Sequence, residues 1–163
     1  MESNFKGQTA IVTGGTRGIG RGISEAFLRA GAKVVATYQS NKKAAQDFYK
    51  SNEGYSKYLD LRFFDVTRYD EVEQFYQDVE KTHGEFQVMV HCSGIRIDSI
   101  VGMMREEDWR KVIDTNLTGT FNMCKLAVQN LMRKKYGRII VITSPIGRFG
   151  FAGQSNYAAS KAG

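Results

Sequence analysis

Gln8-Thr-Ala-Ile-Val-Thr13-Gly14-Gly-Thr-Arg-Gly-Ile-Gly20 is the stretch on which the fold turns. Its first six residues read as a short buried strand, and the glycine run follows with no spacer. Ile19, Ile23, Ala26, Phe27 and Ala30 then recur at helical spacing, and Gly31 stands where that helix would end. Glycines allow a tight turn and let a phosphate approach backbone N–H groups at a helix N-terminus. The spacing is Gly-x-x-x-Gly-x-Gly rather than the Gly-x-Gly-x-x-Gly of the general dinucleotide fingerprint. A bare strand-to-helix turn is the alternative reading, but the position directly after the first strand favours phosphate binding.

The alternation continues outward from that stretch. Lys33-Val-Val-Ala-Thr37 is a second strand, residues 41–51 a helix, and Tyr58 to Asp65 a third strand. Thr67 and Asp70 fit the N-terminal cap of a helix whose apolar face is Val72, Phe75, Tyr76 and Val79. Gln87 to His91 is a fourth strand, and helices follow around residues 106–113 and 116–135. Arg138 to Thr143 is a fifth strand, and a last helix opens near Gln154. Strands alternating with helices predict an α/β fold with a parallel sheet covered on both faces. Such sheets bind ligands at the carboxyl ends of their strands, where the strand order reverses.

Composition narrows the function. With 163 residues, 42% hydrophobic and 25% charged, residues 1–163 are expected to form one domain. No segment approaches the roughly 20 apolar residues of a membrane span, and Met1 to Gly7 lack the apolar core of a signal peptide. Cys92 and Cys124 suit a reduced, cytoplasmic protein, and neither has a partner at metal-ligand spacing. A net charge of +6 invites a nucleic-acid reading. The basic residues are scattered, however, apart from Arg133-Lys-Lys-Tyr-Gly-Arg138, where cations complement a helix dipole. No metal, nucleic acid or membrane is therefore expected.

Near the other end, Gln154-Ser-Asn-Tyr157-Ala-Ala-Ser-Lys161 places Tyr157 and Lys161 on one helix face. A lysine ammonium favours tyrosinate and lowers the tyrosine pKa from about 10. Tyr157 could then exchange a proton near neutral pH. Taken alone, the pattern is common by chance and reads first as an ordinary amphipathic helix in which Tyr157 packs and Lys161 is solvated.

Gly14-x-x-x-Gly18-x-Gly20 together with Tyr157-x-x-x-Lys161 resembles the short-chain dehydrogenase/reductase family, and within it the 3-oxoacyl-acyl-carrier reductases. The resemblance runs through essentially the whole chain. It implies a Rossmann-like doubly wound parallel sheet. Cofactor-binding positions are then Gly14, Thr16, Arg17, Gly18, Ile19 and Gly20 in the loop, with Thr37 after them. Asp65-Val66 matches the adenine-contacting pair, and Ser93-Gly94 the end of the Asn-Asn-Ala-Gly segment. Tyr157 and Lys161 also reach the cofactor. Three stretches point to the acyl-carrier reductases: Gly94-Ile-Arg-Ile-Asp98, the Met104 to Trp109 region, and Gly153-Gln-Ser-Asn-Tyr157.

The catalytic positions implied are Asn116, Ser144, Tyr157 and Lys161. By resemblance, NADPH gives hydride to the 3-keto carbon of an acyl thioester and Tyr157 protonates the alkoxide. Ser144 hydrogen-bonds that oxygen. Lys161 lowers the tyrosine pKa and holds the nicotinamide ribose, and Asn116 positions a water for proton resupply. NADPH rather than NADH is expected because Tyr38-Gln-Ser-Asn41 carries no acid after the second strand, while Arg17, and Lys42 or Lys43, supply positive charge. An acidic acyl carrier protein is expected to dock at Arg133, Lys134 and Lys135, near the mouth of the site. Self-association into a dimer or tetramer is expected through the helix at 116–135. There Leu117, Phe121, Cys124, Val128 and Leu131 form a line that can face the sheet, and Met123, Leu126 and Met132 lie off it.

Three departures from the family pattern stand out. His91-Cys92 replaces the paired asparagines, Pro145 follows Ser144 directly, and the sequence stops two residues after Lys161. The last raises the expectation that these residues alone make a poor enzyme, with the fifth strand at an edge and the catalytic helix short. Alternatives are a reductase for acetoacetyl-CoA or another small ketone, and a catalytically silent cofactor-binding fragment.

Overall fold

The computed structural model describes residues 4–163. Strands β1 (Thr9–Thr13), β2 (Lys33–Tyr38), β3 (Leu59–Phe63), β4 (Val88–His91) and β5 (Arg138–Val141) form one parallel sheet in the order β3-β2-β1-β4-β5. The chain builds outward from β1 to one side, then returns to build on the other. The strand order therefore reverses between β1 and β4, at the carboxyl end of the strand that leads into the glycine run.

Both faces of this sheet are covered, which explains its unbroken apolar strands. Ile11, Val35 and Met89 lie side by side and pack with α3 (Tyr69–His83) and α5 (Gly119–Lys134). Ala10, Val12, Val34, Ala36, Val88 and Val90 point the other way, toward α1 (Gly18–Arg29) and α2 (Lys42–Ser51). Asn41 caps α2 by accepting from the Ala44 N–H at 2.9 Å. The α3 face of Val72, Phe75, Tyr76 and Val79 is buried as its spacing predicts. The Tyr76 hydroxyl also ties α3 to α5 by donating to the Met123 carbonyl at 2.9 Å.

Three expectations are corrected and one is refined. Ile19 does not join the packed face of α1, since it is 69% exposed. Arg68 rather than Thr67 is the cap residue of α3, with no side-chain capping bond, and Asp70 lies inside the first turn. The helices around 106–113 and 116–135 are α4 (Glu106–Ile113) and α5, joined through a π-helical segment at Asp114–Thr118. Finally, α5 packs on Met123, Leu126, Ala127 and Leu131, while Phe121, Val128 and Met132 are exposed at 59%, 40% and 70%. Only Leu131 of the expected line is buried, because α3 and the sheet both lie on the Met123 side.

β5 forms one edge of the sheet, with Ile140 and Val141 exposed. A single-turn helix, α6 (Ile146–Phe149), precedes α7 (Ser155–Ala162). Pro145 is the cap residue of α6, where its fixed φ is compatible with a helix start.

Candidate active site

A cleft of about 760 Å³ opens at the carboxyl ends of the strands, across the β1–β4 reversal. Gly14, Thr16, Arg17, Gly18, Ile19 and Gly20 line one wall, and Thr37, Asp65, Val66, Ser93 and Gly94 continue it. These are the cofactor positions expected from the sequence, apart from the two on α7. The glycines are physically required. Gly18 sits at φ +53°, and a Cβ on Gly20 would stand 2.2 Å from the Gly14 carbonyl oxygen. The first turn of α1 carries no acid, so its free N–H groups face the cleft with the positive end of the helix dipole unopposed.

Asp65 is held from three sides. Its N–H donates to Glu71, its Oδ1 accepts from the Thr67 N–H at 2.9 Å, and Gln39 Nε2 reaches Oδ2 at 3.4 Å. Val66 is fixed by Asn122, whose Nδ2 donates to its carbonyl, and by the close approach of Gly119. Tyr38, Gln39, Ser40 and Asn41 line the cleft with Arg17, whereas Lys42 and Lys43 do not.

The proposed catalytic residues come together around α7. Asn116 is buried in the π-helical segment. Its Oδ1 accepts from the Ile95 N–H at 2.8 Å, and its Nδ2 donates to the Ile95 carbonyl at 2.9 Å and to Ser160 Oγ at 3.0 Å. Ser160 in turn donates to the Tyr157 carbonyl at 2.8 Å. Lys161 Nζ donates to the Ile142 carbonyl at 2.9 Å and lies 5.9 Å from the Tyr157 ring centroid. A Cβ on Gly94 would sit 3.7 Å from that same Nζ, so the ammonium stands at the cleft wall.

Burial holds Lys161 below the usual lysine pKa, with Cys92 partly offsetting it. Tyr157 is half-buried, and its hydroxyl has no hydrogen-bond partner among the described residues. Ser144 lies just beyond β5, where its hydroxyl accepts from the Ile146 N–H at 3.3 Å.

Other contributors carry no signal in the sequence. The Ile142 carbonyl and Ser160 anchor α7, and Glu107, Arg110, Lys111 and Asp114 line the cleft from α4 and its π-helical extension. Thr13 and His91, at the ends of β1 and β4, meet each other at 3.0 Å, a contact that the sequence does not show. The spacing of Arg110 and Lys111 matches any solvated helix, and only the placement of α4 over the cleft distinguishes them.

The basic cluster corrects one expectation. Arg133 pairs with Glu80 at 3.2 Å, Lys134 pairs with Glu85, and Lys135 ends α5 in the left-handed region at φ +53°. α5 runs back from the cleft to the start of β5, about 24 Å over its 16 residues. In this chain the cluster therefore lies at the opposite end of the sheet from the cleft, not at its mouth. Among the described residues no group of His, Cys, Asp and Glu is arranged to hold a metal, and no helix is long and apolar enough to cross a membrane.

The profile of the short chain dehydrogenases matches residues 8–163. The chain is 39% identical over 162 residues to the 3-oxoacyl-[acyl-carrier-protein] reductase of Escherichia coli, covering 98% of this chain and 64% of that protein. The Vibrio cholerae enzyme of the same name is 38% identical with the same coverage. The Chlamydia muridarum one is 39% identical over 166 residues, covering all of this chain and 66% of its own length. The chain thus spans a little under two thirds of the curated relatives it matches. A glycine loop at the strand-order reversal, Tyr157 and Lys161 on one helix beside it, and a profile match over nearly every residue agree: the chain belongs to the short-chain dehydrogenase family.

Proposed function

We propose that the protein carrying this sequence is an oxidoreductase that reduces 3-oxoacyl thioesters, presented on an acyl carrier protein, to 3-hydroxyacyl thioesters with NADPH. One observation carries most of the weight. Lys161 Nζ stands beside Gly94 at the cleft wall, while the same helix presents Tyr157 with its hydroxyl uncommitted. The residues fit a dinucleotide: unopposed N–H groups at the α1 N-terminus suit a pyrophosphate, and Asp65 suits an adenine amino group. The bound nicotinamide would supply the hydride.

The residues of this chain do the rest. Tyr157 donates a proton to the developing alkoxide, and Ser144 donates a hydrogen bond to the same oxygen. Lys161 holds its positive charge at the cleft wall beside Gly94, 5.9 Å from the Tyr157 ring centroid. Asn116 fixes Ile95 and the catalytic helix relative to each other, so that the two walls of the site keep their spacing. Arg17 in the cleft, with no acid in Tyr38–Asn41, supports NADPH over NADH.

The carrier-linked substrate rests on the names of the relatives and on the Gly153–Tyr157 stretch, not on the Arg133–Lys135 cluster. The exposed apolar side of α5 supports a homo-oligomer built on that helix. Both cysteines are free, which supports a cytoplasmic setting.

The deciding experiment is reduction of an acetoacetyl thioester by the protein with NADPH, followed by absorbance. Turnover on carrier-linked substrate, lost by at least about a hundredfold in Tyr157→Phe with NADPH binding retained, is the expected result. Tyr157→Phe activity within a few-fold of the parent removes Tyr157 from the mechanism.

A further inference from the structure

His91 occupies the last position of β4, with only 1% of its surface exposed. Its Nδ1 lies 3.0 Å from Thr13 Oγ1, and its Nε2 is buried with no partner among the described residues. Thr13 Oγ1 has two further contacts: it accepts from the Cys92 N–H at 3.0 Å and from the Ser93 N–H at 3.1 Å.

The count of protons and lone pairs settles the arrangement. A hydroxyl has one proton to give and two acceptor sites. The two amides fill the acceptor sites, so the proton goes to His91 Nδ1. The ring must then be neutral with its own proton on Nε2. In the other tautomer, or in the imidazolium, three N–H groups would crowd one oxygen and the hydroxyl proton would have no acceptor. The observed geometry leaves one N–H unpaired, which costs less than that overload.

We propose that His91 is a positioning residue of the nucleotide cleft: its neutral imidazole takes the Thr13 proton and so commits the Thr13 oxygen to holding the Cys92 and Ser93 amides. The consequence reaches the cleft directly. Ser93 and Gly94 line it, a Cβ on Gly14 would meet the Ser93 nitrogen at 3.3 Å, and Lys161 Nζ stands against Gly94. The turn that His91 fixes therefore sets the gap between the glycine loop and the β4 wall. Burial, and then the Lys161 ammonium, push the His91 pKa down to about 4, which keeps the ring neutral at physiological pH. The inference rests on nucleotide binding in this cleft and not on the identity of the ketone.

The test combines long-range ¹⁵N–¹H NMR of the imidazole with NADPH binding by fluorescence. The Nε2–H tautomer is expected at pH 7. His91→Leu and Thr13→Val should each weaken NADPH binding by about tenfold or more and shift the Cys92 and Ser93 amide signals. In His91→Asn the amide oxygen can accept the Thr13 proton, so binding should stay within about threefold of the parent, as it should for Thr13→Ser. The double variant His91→Leu/Thr13→Val should be no worse than Thr13→Val alone, since both remove the same arrangement.

An Nδ1–H tautomer or a charged ring at pH 7 overturns the proposal. So does a His91→Leu chain that binds like the parent, or a His91→Asn chain that falls as far as His91→Leu. A protein that binds NADPH with this His91 dependence but reduces no thioester refutes the proposed function and leaves this inference standing. A parent that binds no NADPH refutes the cofactor reading, and the tautomer and amide shifts then decide the role of His91.

Discussion

Asn116 Nδ2 donates to Ser160 Oγ at 3.0 Å across 44 residues of sequence, while the rest of its amide brackets Ile95. One side chain therefore fastens the β4 wall of the cleft to the helix that carries Tyr157 and Lys161. Its bond to Ser160 is buried, and the two to Ile95 are part-buried at the cleft wall.

Asn116→Ala should consequently destabilise the fold by about 2–3 kcal/mol, since it removes one buried and two part-buried hydrogen bonds at about 0.5–1.5 kcal/mol each. The proposed reductase activity should fall further than the population of folded protein does, because the two walls lose their fixed spacing. Urea denaturation and a rate measured well below the melting temperature separate the two effects. A variant with unchanged urea midpoint and rate would show that Asn116 holds nothing.

His91 gives the fold an acid limit. It titrates at about 4 in the folded chain against an ordinary value of 6.5, because of burial first and the Lys161 ammonium second. The neighbouring Cys92 thiol is pushed by burial to about 11 and stays neutral through this range. Between pH 6.5 and 4 the unfolded chain carries a proton that the folded chain lacks. Stability therefore rises with pH there. The contribution is fully present above pH 6.5 and is lost as pH falls toward 4, by about 3 kcal/mol in total. Urea midpoints at pH 7 and pH 4.5 should fall more steeply for the parent than for His91→Asn, and parallel slopes would rule this out.

Cofactor preference should depend on Arg17. The segment Tyr38–Asn41 lines the cleft without an acid, and the Asn41 side chain is committed to capping α2. Arg17→Ala should lower NADPH affinity by about tenfold while leaving NADH affinity nearly unchanged, as expected for loss of one charge-assisted contact to a 2′-phosphate. Equal losses for both cofactors would move Arg17 to the shared pyrophosphate instead.

The outer side of α5 should mediate self-association. Phe121, Val128 and Met132 are exposed on a helix whose opposite side is fully packed, and Lys125 lies 5.8 Å from the Phe121 ring centroid. Phe121→Asp with Met132→Asp should shift sedimentation toward monomer without lowering the melting temperature of the monomer, because neither side chain contributes to the core. A parent that sediments as a monomer at high micromolar concentration would refute this surface as an interface.

The α/β order, five strands and the four buried positions of α3 were legible in the sequence because they depend on local periodicity. Val72, Phe75, Tyr76 and Val79 are the only wide apolar stripe on their helix, so only one face could be buried. The glycine loop was legible for a similar reason, since positive φ and close backbone approach demand glycine wherever they occur. The same reasoning misread α5, which is apolar on more than one side. Its buried face was selected by the positions of α3 and the sheet, which no local pattern contains. Asn116, Thr13 and His91 belong to the same class. Each residue type was visible, but Thr13 meets His91 across 78 residues and Asn116 meets Ser160 across 44. Hydrogen bonds are directional and short, so these partnerships exist only once packing brings the strand ends together, and the sequence by itself carries no periodic trace of them.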